Sequence, residues 1–117
     1  MCPNCNMDIE KFRQICLSFN HVTEEFPFGP DTLVYKVKGK LFALAGMEVF
    51  ESINLKCDPE EAIELRERYA AVRPGFHMNK QHWNTILIDN SIPDRLIEEW
   101  IKKSYNLVRS KLPKSQR

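Results

Sequence analysis

Two apolar runs meet at one glycine, and that junction constrains the fold more than any other feature of the chain. Leu33 to Lys38 and Lys40 to Gly46 flank Gly39. Strands joined this tightly must be antiparallel, because a parallel pair needs a crossover of a dozen or more residues. The two turn residues are either Lys38-Gly39 or Gly39-Lys40. Both registers put Leu33, Tyr35, Val37, Phe42 and Leu44 on one face, and Val34, Lys36, Leu41, Ala43 and Ala45 on the other. The bulky set is expected to face the core, and the smaller set with its lysine to face out.

A further strand follows. From Ser52 to Cys57, Ile53, Leu55 and Cys57 alternate with Ser52, Asn54 and Lys56, the pattern of a half-buried antiparallel strand. Asp58-Pro59-Glu60-Glu61 then starts a helix that runs to about Tyr69, with Asp58 as cap, Pro59 at its first position and Glu61 able to close a box-like pair. A first helix is expected over Met7 to Phe19, where Ile9, Phe12, Ile15, Cys16 and Phe19 share a face and Asn6 is a plausible cap. Arg73-Pro74-Gly75 reads as a turn, and Phe76 to Met78 and Asn84 to Asp89 as short strands. A last helix begins at Ser91-Ile92-Pro93-Asp94, carries an apolar stripe from Leu96 to Val108, and ends at Pro113. The expected fold is α+β: a two-layer sandwich in the order α-β3-α-β2-α, with a mostly antiparallel sheet and helices on one face. The other face would stay open and carry Lys36, Asn54 and Lys56 beside small alanines.

The 117 residues suit a single domain over 1–117, with 1–6 and 112–117 as frayed ends. No apolar run approaches the roughly 20 residues that span a bilayer, and the first residues do not resemble a signal peptide. A cytoplasmic location with no membrane partner is therefore expected. Net charge is +1, so nothing pulls the whole chain toward nucleic acid. The charge is uneven, however. Residues 1–93 hold 10 basic and 13 acidic residues, and residues 94–117 hold 7 and 3, with no acid from Lys102 onward. Such a tail either holds phosphate or complements the negative end of a helix.

No catalytic constellation stands out, so the chain reads as a non-enzyme that needs no cofactor. Cys2 and Cys5 form half of a zinc motif without a second half, and no metal is expected there. Cys16 and Cys57 read as small core residues. The densest polar segment is Phe76 to Thr85, with His77, Asn79, Lys80, His82, Trp83 and Asn84. Imidazoles, amides, an ammonium and an indole can grip phosphates and stack on bases. The same groups can instead bond backbone in an irregular turn, with Trp83 packed inside.

Several segments together resemble the MmcQ/YjbR family: Glu25 to Asp31, Lys36 to Ala43, Ile53 to Glu60, Pro74 to Thr85 and Ser104 to Val108. The Cys2-Cys5 pair departs from that pattern. The resemblance implies a two-layer, CyaY-like domain, similar to the bacterial frataxin homologue and to secretion chaperones. It also implies DNA binding, by likeness to the double wing domain of a phage transcription factor. The expected nucleic-acid-binding residues are Lys36, Lys56, His77, Asn79, Lys80, His82 and Asn84, with the basic C-terminal residues. A protein-binding or chaperone-like module on the same open sheet face is the alternative. A small-ligand or metal site at His77, Asn79 and His82 is a third.

Overall fold

The computed structural model describes residues 8–26, 31–46, 52–75, 82–88 and 91–112. Helix α1 spans Ile9–Leu17 and is followed by β1 (Val22–Glu25), β2 (Thr32–Val37), β3 (Lys40–Gly46) and β4 (Ser52–Lys56). Helix α2 (Pro59–Arg68), β5 (Val72–Pro74), β6 (Trp83–Leu87) and α3 (Asp94–Ser110) complete the chain. The six strands form one sheet in the order β1-β2-β3-β4-β6-β5, with every pair antiparallel. Helix α1 lies against β1, α2 against β5 and β6, and α3 against β2, β3 and β4.

Helices α1 and α2 begin where short polar side chains can hold their free amides. The Asp8 carboxylate accepts from the Lys11 amide at 2.8 Å, so α1 starts two residues later than expected. The expected cap, Asn6, lies outside the described residues. Asp58 caps α2 through the Glu60 amide, and Pro59 opens the helix as expected. Helix α3 has no side-chain cap; Asp94 instead pairs with Lys11 at 2.8 Å and ties α3 to α1.

Val37 pairs with Lys40, so the hairpin turns on Lys38-Gly39. Both residues have positive φ, 51° and 83°, as a type I′ turn requires. Two residues later the ladder slips: Lys36 faces Leu41 but Tyr35 faces Ala43, which leaves Phe42 as a bulge. The bulge corrects the expected faces. Phe42, Ala43 and Ala45 all turn to the helices with Leu33 and Tyr35, while Leu44 crosses to the other face beside Val34. The small alanines lie beneath α3, where buried Ser104 donates to the Phe42 carbonyl at 2.6 Å. Phe42 closes an aromatic group with Phe19 and Tyr105, whose rings stack at 4.5 Å.

Two strands depart from the sequence reading. β1 is an additional strand at one edge; Val22-Thr23-Glu24-Glu25 is too polar to show an apolar alternation. β5 occupies Val72–Pro74, where a turn was expected. It is the opposite edge, where the missing amide of a proline costs no ladder bond. The expected strand Phe76 to Met78 lies outside the described residues.

β1 is pinned to α1 by charge. Arg13 donates to both Glu24 oxygens, at 2.9 and 3.2 Å, and the Tyr35 hydroxyl donates to Glu24 at 2.6 Å. The Arg13 guanidinium holds the Glu24 carboxyl below the usual carboxylate range, against the opposing pull of burial and with help from Tyr35. The folded value is thus lower than the unfolded one. The stabilisation is complete above the unfolded value, about pH 4.3, and is lost as pH falls through the lower folded value. Glu24→Gln is expected to be less stable than wild type at pH 7, and the gap is expected to shrink as the pH falls to about 3. Urea melts at the two pH values check this. A gap that stays constant would show that the Glu24 charge adds nothing.

Candidate functional site

The second face of the sheet is not the open polar surface expected. Val34 and Thr85 are fully buried there, and Trp83 and Leu44 are 6% and 9% exposed. Leu41 packs on the cluster of Val34, Leu44 and Trp83. The exposed chemistry lies instead at one end of the sheet, where β3 begins, β4 ends and β6 begins.

A cleft of about 460 Å³ opens there against the C-terminal turn of α3. Leu41, Trp83, Leu107 and Val108 form its apolar walls, and Lys40, Lys56 and Lys111 supply its charge. Among the described residues no carboxylate lines it, and none of the three lysines has a carboxylate partner. The sequence places each lysine by a separate rule. Lys40 is the first residue after the type I′ turn. Lys56 is the outward residue of the alternating strand, opposite Trp83. Lys111 follows the last turn of α3, where cations complement the helix dipole.

Lys56 is half-buried, and its ammonium lies 5.8 Å from the centre of the Trp83 ring. Such a contact holds a lysine without neutralising it. It also covers the indole face, and Trp83 is nearly buried besides. Trp83 therefore serves as a floor under the charge, and base stacking on it is excluded in this conformation.

The other expected residues separate. Lys36 does share the second face, but it pairs with Glu25 at 3.3 Å. Asn84 was expected to bond nucleic acid, and this is corrected: it is 2% exposed, on the helix side of β6. Its amide oxygen accepts from Arg66 Nε at 2.7 Å and its amide nitrogen donates to the Ala62 carbonyl. It anchors α2 to the sheet and has no reach to solvent. His82 is half-buried beside the cleft, and its carbonyl accepts from the Cys57 amide at 2.7 Å. His77, Asn79 and Lys80 lie outside the described residues, as do Cys2 and Cys5. Sequence reasoning missed Lys40 as a site residue. Its signal was the Lys38-Gly39 turn, which fixes where the next side chain starts.

Among the described residues, no group of three His, Cys, Asp or Glu side chains is placed to hold a metal ion. Burial pushes the Cys57 thiol up to about 11, helped by Glu61 and Asp58. Burial raises the Cys16 thiol further, in the core beneath α1. Both thiols are held protonated at neutral pH, the unreactive form. No helix among the described residues is long and apolar enough to cross a membrane.

A family model described as YjbR matches residues 17–107. The Escherichia coli O157:H7 protein YbdF is 35% identical over 100 residues, 85% of this chain and 82% of that protein. YjbR of Escherichia coli K12 is 32% identical over 112 residues, 95% of each chain. A Deinococcus radiodurans crystal structure with a DUF419 domain superposes with a TM-score of 0.91 at 34% identity, covering 99% of this chain and 89% of that one. A Pseudomonas syringae crystal structure gives 0.72 at 26% identity, covering 86% of this chain and 98% of that one.

Proposed function

This chain belongs to the YjbR family, and we propose that it is a small, non-catalytic, cytoplasmic domain that binds DNA through the lysine-lined cleft. One observation carries the proposal: Lys40, Lys56 and Lys111 converge on a cleft that no carboxylate among the described residues lines. Of the cations elsewhere, Lys11, Arg13, Lys36 and Lys103 are paired with acids, and Lys38, Arg68, Arg95, Lys102 and Arg109 do not line this cleft. Convergent unpaired lysines suit a phosphate backbone, which carries the charge and sets most of the affinity. The β2–β3 hairpin acts as a wing in this reading, bringing Lys40 to the duplex. The buried indole, and the lack of a free side-chain amide among the described residues of the cleft, support contact with phosphates and not with base edges. Binding is therefore indifferent to sequence.

Three contacts give weak binding. Each phosphate neutralised contributes about −0.9 to the slope of log K against log salt, so a slope near −3 is expected. The affinity for a duplex is expected to be no tighter than about 10⁻⁶ M at physiological salt. Fluorescence anisotropy with a labelled duplex and its scrambled version, each at several salt concentrations, measures both quantities. Absence of binding at low salt, or a marked preference between the two sequences, would sink this reading.

A further inference from the structure

The helical layer is incomplete between α2 and α3. α2 rests on β5 and β6, and α3 on β2 to β4. Two side-chain ties bridge them: Glu61 meets Lys103 at 3.0 Å, and the Tyr69 and Trp100 rings meet edge to face at 5.2 Å. Beside the Glu61–Lys103 pair a cavity of about 310 Å³ runs inward to the sheet. Leu55 and Ile86 form its floor, Leu65 one wall, and Trp100 and Leu107 the other. Pockets of this size, apolar with a few convergent polar groups, are the usual form of small-molecule sites.

The polar groups define what would fit. Asn84 lines the cavity, but both ends of its amide are already bonded within the protein. Glu61 is committed to Lys103 and also accepts from the Cys57 thiol at 3.9 Å. Lys56 and Asp58 also line the cavity, one charge of each sign, so neither sign of ligand charge is favoured. A charged group seated deeper, against Leu55, Ile86 and Trp100, would lose water and gain no partner, a heavy cost. The outer groove, on the far side of Leu65 and Trp100, carries Glu64, Glu67 and Glu99 against Arg68, which disfavours the approach of an anion. Asn106, at the rim on α3, is exposed and has no side-chain partner among the described residues. Its amide offers both a donor and an acceptor.

From this we infer that the cavity between α2 and α3 is a binding site for a small, uncharged, mainly apolar molecule, a ring or branched body bearing a single hydrogen-bonding group that reaches Asn106. The inference does not depend on DNA binding, since it rests on a second cavity, which borders the first at Lys56 and Leu107, and on neutral chemistry.

Indole serves as the probe, with benzoate as its charged counterpart, in methyl and amide NMR titrations of the whole chain. Indole is expected to shift the Leu55, Leu65, Ile86 and Leu107 methyls saturably, with a Kd on the order of 10⁻³ M, and benzoate to bind at least about tenfold more weakly. Asn106→Trp changes an exposed residue and places a bulky side chain at the mouth. It should leave the fold intact, as its own spectrum will report, and abolish the indole shifts. No saturable shift up to about 10 mM indole, shifts scattered over the surface, shifts that persist in Asn106→Trp, or tighter binding of benzoate would each overturn the inference.

Discussion

Phe42→Ala is expected to destabilise the domain by about 3–5 kcal/mol, a large share of the roughly 5–15 kcal/mol that holds a small domain folded. The side chain is fully buried, and it is the bulged residue of β3. Its ring centre lies 6.3 and 5.6 Å from those of Phe19 and Tyr105. Removing it leaves a cavity between α1, α3 and the sheet that none of these can easily close. It also removes the reason for the bulge. A straight ladder would turn Ala43 outward and Leu44 inward, so the variant is a test of register as well as of packing. Equilibrium urea unfolding gives the result: a lower midpoint at nearly unchanged slope. A loss below about 1 kcal/mol would mean that Phe42 is not the wedge between the two layers.

The parts of this fold that were legible in the sequence are those fixed by local rules. Gly39 between two apolar runs dictates a hairpin. The alternation of Ile53 and Leu55 against Asn54 and Lys56 dictates a strand with a known inner face, and Leu55 is indeed buried with Lys56 at the surface. Asp58-Pro59 dictates where α2 begins. The parts that were not legible depend on distant partners. Nothing near Phe42 announces a bulge, because the bulge answers to Ser104 and Tyr105, about sixty residues away. Val22–Glu25 becomes a strand because Arg13 and Tyr35 hold Glu24, and because β2 offers it an edge.

The site follows the same division. Lys56 was legible because its strand alternates. Asn84 was misplaced because Trp83, Asn84, Thr85 and Ile86 are all buried, so β6 shows no polar face from which to read its parity. The basic C-terminal stretch was visible as charge without acid. Its convergence with Lys40 was not, since that depends on where α3 ends over the sheet.

If three lysines in one cleft carry nucleic-acid binding, reversing their charge removes it. Lys40 and Lys111 are exposed and Lys56 is half-buried, so replacing all three by glutamate removes no core packing. The fold is expected to lose only about 0.5–1 kcal/mol, chiefly the contact of Lys56 with Trp83. Binding is a different matter, because the cleft changes from three positive charges to three negative ones and now repels phosphate. The decisive measurement is the anisotropy of a labelled duplex at about 50 mM salt, comparing wild type with Lys40→Glu, Lys56→Glu and Lys111→Glu combined. The triple variant is expected to lose about 100-fold or more in affinity while its urea unfolding curve stays near that of wild type. Equal binding by the two folded proteins would contradict it.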